Sequence, residues 1–253
     1  MMENTSRVAS RPRLEAAWAA TGALTVVLFG CGLLFGDLLG TTNYPALNAS
    51  SFHLREYFTR DVSEVRALSF FHLLAAAALG AFASYLYGTL RAAGARLAAL
   101  ALAGGILGAT FLALSALTYR VLAERSVAAD PALAHGLVVL SYLAGGPAIG
   151  VSLALTAGAF AAAIRRERTL PAWLWWVSIV ATVLGVATVT TMLAPANNSS
   201  AAYGVLLLGA VALFAWLVAS SVVLLGRALR TKTAISTRNK GSKEQPSLRI
   251  PPG

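Results

Sequence analysis

Six stretches of the chain stay apolar long enough to cross a bilayer, at about 16–40, 67–90, 97–119, 133–163, 172–194 and 202–226. A spanning helix needs about 20 such residues, because the hydrocarbon layer is ~30 Å thick and each helical residue rises ~1.5 Å. None of the six alternates apolar and polar positions as a barrel strand does. Lipid offers backbone groups no hydrogen-bond partners, so runs of this kind form helices. The pattern predicts an all-α fold, a polytopic transmembrane bundle of six spanning helices.

Two departures from plain apolar runs add detail. Between the first two spans, in the connection 41–66, Leu54, Phe58, Val62 and Val65 recur at helical spacing opposite Arg55, Glu56, Arg60, Asp61 and Glu64. This predicts a short amphipathic helix lying on the outer membrane surface, with a lid over an outward cavity as the alternative. The fourth span carries Gly145-Gly146-Pro147, which predicts a kink; a broken helix lining a substrate pocket is the other reading.

Composition rules out whole classes. Hydrophobic residues make up 57% of the chain and charged ones 12%, about half the share in soluble domains. A mean hydropathy of +0.70 excludes disorder except at the ends. The domain plan is a cytoplasmic segment 1–13, a transmembrane domain 14–228 and a disordered basic tail 229–253. One cysteine, Cys31, excludes an intramolecular disulfide and a cysteine-based zinc site. Leu28-Phe29-Gly30-Cys31 has a lipoprotein-like form, but the apolar run continues past it.

Charge then orients the bundle. The net charge of +10 would suit a nucleic-acid partner, yet the basic residues flank the spans, where they set membrane topology. One side collects 15 of the 20 Lys and Arg, including Arg7, Arg11, Arg13, Arg165, Arg166 and the tail; the other has five, Arg55, Arg60, Arg66, Arg120 and Arg125. Both termini are therefore expected in the cytoplasm, with the tail drawn to anionic lipid at ~1 kcal/mol per basic residue near the surface. Trp173, Trp175 and Trp176, after Pro171, are expected to anchor the fifth span at the cytoplasmic interface. The arginine-rich, alanine-rich usage suggests a bacterial source.

Small residues at four-residue spacing predict close helix packing. Gly32 and Gly36 mark the first span, Gly80 the second, Gly104 and Gly108 the third, and Gly145, Gly146 and Gly150 the fourth. Near the outer ends of these stripes stand His72, Tyr119 and His135, with Asp37, Arg120 and Tyr142 at neighbouring depth. Ionisable residues in a span are costly and point to function, so these six outline a small outward-facing polar pocket. The structural alternative is a neutral His72 satisfied by one interhelical hydrogen bond, with His135 and Arg120 reaching headgroup water. No cofactor or metal is expected. Two histidines are too few ligands for most sites, and no phosphate loop, G-x-S-x-G or H-E-x-x-H occurs.

The segments FGDLLG closing the first span, YFTRDVSEVRALSFFHLLA entering the second and LPAWLWWVSIV opening the fifth resemble a large family of bacterial multi-pass membrane proteins catalogued as a domain of unknown function, DUF4386-like. The resemblance covers about 14–226. It implies a compact helical bundle in the bacterial cytoplasmic membrane and brings no activity or catalytic residue with it.

Three classes of function fit. The first is a binding protein or facilitator for a small molecule in the outward pocket. The second is a non-catalytic accessory protein, whose glycine faces pack against a second copy or another membrane protein. A membrane-embedded enzyme is the third.

Overall fold

The computed structural model describes the backbone of residues 3–39, 49–167, 170–193 and 200–243, with side chains for 14–35, 38–39, 49–50, 52–166, 170–193 and 201–230. Gly36, Asp37 and the side chains of the basic tail fall outside the latter ranges. The elements in chain order are α1 (Glu3–Leu39), α2 (Ser51–Arg60), α3 (Val62–Ala92), α4 (Ala98–Leu122), α5 (Arg125–Ala128) and α6 (Pro131–Leu143). A π turn (Ala144–Ala148) then leads into α7 (Ile149–Glu167), α8 (Ala172–Ala187), a 3₁₀ turn (Thr188–Leu193) and α9 (Ser200–Lys243). No strand occurs among the described residues.

Among the described residues, six apolar helical stretches are long enough to span: Leu14–Phe35, Val62–Ala92, Ala98–Leu122, Pro131–Arg166, Ala172–Leu193 and Ala201–Arg230. Each overlaps a predicted stretch, and the chain is an all-α integral membrane protein. Consecutive spans are neighbours, and the ring closes where α9 returns to α1.

Glycine seams let these helices approach. A Cβ on Gly104 would lie 2.6 Å from the Ser152 carbonyl oxygen, and one on Gly185 would lie 2.9 Å from that of Gly150. Close backbone approach of this kind is what holds helices together where burial from water contributes nothing. Interhelical hydrogen bonds add to it: Ser69 Oγ donates to the Ala116 carbonyl at 2.8 Å and Thr156 Oγ1 to that of Ala101 at 3.2 Å. Gly80 is looser, 3.8 Å from the Ala109 Cβ.

In the half of the bundle remote from α2, aromatic side chains fill the centre of the ring. Phe82 and Phe160 meet the ring of Trp216 edge-on, with centroids 6.3 and 6.0 Å away, and the Trp216 indole N–H donates to Ser178 Oγ at 3.1 Å. Trp173 and Trp176 face outward, whereas Trp175 packs on the core with the Arg165 guanidinium 5.3 Å from its ring.

At the other end the structure departs from the sequence reading. The α2 helix does not present its apolar face to lipid: Leu54, Tyr57 and Phe58 are buried against Val65, Leu122, Ala128, Ala134 and Val138. It caps the ends of α3 to α6. The chain breaks at Asp61 (φ −99°, ψ 37°), so residues 54–65 are not one helix, and Asp61 and Glu64, expected on a solvated face, are buried.

The fourth span continues as helix through its proline without breaking. Pro147 has no N–H to donate and its ring crowds the preceding turn, and the wider π turn relieves both. Gly145 leaves room there for Ser115, whose Oγ would lie 2.7 Å from an added Cβ. Asp130 caps the start of α6, accepting from the backbone N–H of Ala132 and Leu133 at 3.0 and 3.1 Å. At the C-terminal end α9 stays helical to Lys243, beyond residue 229, where disorder was expected to begin.

Candidate functional site

Within the half nearer α2, the ring encloses a cavity of about 500 Å³. Its walls come from α1 (Thr25, Phe29, Leu33), α3 (Glu64, Leu68, His72, Leu79), α4 (Leu112, Ser115, Tyr119), the fourth span and α9. Three of the six predicted pocket residues therefore meet in one space: His72, Tyr119 and Tyr142. Two do not. Arg120 points away and pairs with Glu124 on the surface, and His135 is exposed. The sixth, Asp37, has a side chain outside the described set.

His72 sits at the centre of one wall, 5% exposed. Its ring stacks on Phe29 with centroids 4.2 Å apart and planes 9° from parallel, and Tyr119 lies edge-on at 6.4 Å. Gly32 makes this possible, since a Cβ there would lie 3.0 Å from His72 Cδ2 and 3.2 Å from Nε2. The Phe29 backbone accepts a hydrogen bond from the imidazole, while Nε2 has no partner among the described residues. A buried acceptor in that state costs roughly 1–3 kcal/mol.

Glu64 was not among the predicted site residues, yet it lines the same cavity. It accepts a hydrogen bond of 2.6 Å from the buried Tyr57 hydroxyl, tying the α2 cap to the cavity roof. Burial, and then the Glu64 carboxylate, push the Tyr57 phenol well above its ordinary value. A readable signal existed: an acidic residue two positions inside a long apolar helix.

Polarity falls with depth. Glu64, Tyr119 and Tyr142 gather at the α2 end, whereas Leu79, Leu153, Leu213 and Leu217 close the other. On the α1/α9 side the lining residues Leu33, Leu207 and Tyr203 are 49%, 53% and 69% exposed, so the cavity opens sideways between these two helices. Further along, Phe29 meets Phe214 at 4.9 Å and Gly22 abuts Ser221 and Phe82, which closes the gap.

A second, open hollow of about 910 Å³ lies at the surface beside the cap, lined by Thr59, Arg60, Ser63, Arg66, Glu124 and Arg125 among others. The Arg120 guanidinium holds the Glu124 carboxyl below its usual range. No family model matches the chain, and neither a curated protein nor a solved structure matches it.

Proposed function

We propose that this is a small-molecule-binding protein of the bacterial cytoplasmic membrane, of the family its sequence resembles, with the α2 end outside and both termini in the cytoplasm. The site is the cavity, with His72, Tyr119, Tyr142 and Glu64 at its polar end. The observation that carries the reading is the convergence of these four side chains, from three spans, on one unfilled space. Membrane helices otherwise keep such groups at their ends or pair them directly. The excess of Lys and Arg at the end remote from α2 supports the orientation. Facilitated passage of the ligand across the bilayer is the second reading, favoured by the π turn, whose Gly145 and Gly146 border the cavity.

The test compares the parent with Ala210→Trp, which places an indole in the cavity from α9. Thermal stability is measured against a panel of metabolites and lipids. A true ligand at 100 times its Kd stabilises the parent by about 2.7 kcal/mol and leaves the variant unmoved. If no compound stabilises the parent and the indole disrupts folding, the cavity is not a binding site.

A further inference from the structure

Apart from the Tyr119, Tyr142 and Tyr203 phenols, which can donate, the cavity's polar groups share a bias that bears on the ligand it suits. Ser115 Oγ donates to the Ser141 carbonyl at 3.1 Å, and Ser141 Oγ to that of Val138 at 2.8 Å. Thr25 and Thr188 donate to Thr21 and Gly185 at 2.9 and 2.6 Å, and the Tyr57 proton goes to Glu64. These hydroxyl protons are committed within the protein, so the oxygens offer lone pairs to anything in the cavity. The carboxylate of Glu64 also accepts. With the Phe29 backbone taking the imidazole proton on one nitrogen, Nε2 of His72 is assigned as an acceptor as well.

Among the described residues no Lys or Arg lines the space, and the formally charged side chain there, Glu64, is acidic. An anionic head would enter a low-dielectric site beside the Glu64 carboxyl, with no lysine or arginine among the described lining residues to attract it. The deep end is walled by leucines, and Leu33 and Leu207 give the side opening between α1 and α9 an apolar rim beside Tyr203.

Resting on the binding function proposed above, we infer that the cavity takes a single-chain amphiphile from the bilayer, tail toward Leu153 and Leu217, with a hydrogen-bond-donating head that carries no negative charge. A long-chain alcohol or amine has this chemistry; a fatty acid or alkyl phosphate does not. Because the tail leaves lipid for another apolar medium, lengthening it adds little affinity, and fit sets an optimum chain length.

The experiment uses the full chain in phosphatidylcholine nanodiscs. Competition against a fluorescent alkyl alcohol is measured for n-alkyl alcohols, amines, carboxylates and phosphates across a range of chain lengths. Alcohols and amines are expected to bind at least about tenfold more tightly than anions of equal length, with affinity falling once the chain outgrows the cavity. Leu207→Trp, at the exposed rim, should slow association severalfold at unchanged folding. Glu64→Gln should weaken amines more than alcohols. Equal or tighter binding of the carboxylates or phosphates overturns the inference. So does preferential stabilisation by a water-soluble compound without a tail, if Ala210→Trp abolishes it; that result leaves the binding function standing. If no compound of any class binds, both proposals fall.

Discussion

The two halves of the bundle use the same alphabet of alanine, leucine and glycine and reach opposite results. In the half remote from α2, Phe82, Phe160 and Trp216 fill the centre of the ring and the indole N–H has its partner. In the α2 half, the corresponding space is bounded by tyrosines, a histidine and a carboxylate and is left open. Hydrophobic burial cannot account for the difference, because lipid is as apolar as the core. The difference lies in shape. Large aromatic rings fill the centre of one half, while in the other the small Gly145 and Gly146 of the π turn border the cavity.

That contrast makes substitutions of similar size behave oppositely. Gly104→Leu, in the packed half, drives a side chain into the Ser152 and Thr156 backbone and should cost about 3 kcal/mol or prevent accumulation of folded protein. Gly88→Ala is its control: nothing lies within 4 Å, and the helix should gain roughly 0.5–1 kcal/mol. Both are read by thermal unfolding in detergent. A tolerated Gly104→Leu would mean that the packed half is not packed.

Removing the cap's tie comes next in size. Tyr57→Phe takes the hydroxyl from Glu64 and should destabilise by roughly 1–3 kcal/mol, the penalty for a buried acceptor that loses a donor. The raised Tyr57 pKa also sets a pH dependence. Stability is fully present below the unfolded phenol's value of about 10 and declines above it, because the unfolded state there loses a proton that the folded state keeps. In Tyr57→Phe the alkaline decline should be shallower.

Filling the cavity has a smaller effect and the opposite sign. Ala210→Leu should be neutral or stabilising by up to about 1 kcal/mol, since the added methylenes gain contacts without displacing any. Destabilisation comparable to that of Gly104→Leu would erase the contrast between the halves. The smallest effect belongs to Arg120→Ala. Its pair with Glu124 is solvated, so the thermal unfolding midpoint should not move measurably, and any contribution fades as acid protonates Glu124.

The spans were legible because a bilayer imposes one strong rule, a long apolar run, that any sequence must display. The cavity was only partly legible. Helical spacing showed that His72 and Tyr119 end small-residue stripes, and they do meet. His135 misled because the buried face of α6 is set by Ala134, Val138 and Ser141, one residue or about 100° away. Glu64 escapes that spacing because the backbone leaves the helix at Asp61 and the phase restarts, so one helical wheel does not serve for 54–65. Apolar spacing also showed which face of α2 is buried, but not whether lipid or protein covers it. That depends on contacts with Leu122 and Val138, far along the chain.

The π turn at 144–148 has one more consequence, for insertions and deletions. It holds one surplus residue in an otherwise regular repeat, and the wider turn absorbs it, so α6 and α7 keep the phase of an unbroken helix one residue shorter. Deleting Gly146 would restore the ordinary repeat and leave α6 in phase with α7, whereas a residue added between Val138 and the π turn, with no second wide turn to absorb it, would swing α6 by about 100°. Ala134 and Val138 would then turn away from the cap they support, so a gain of one residue in mid-span, and not a loss, would be felt at the α2 end of the molecule.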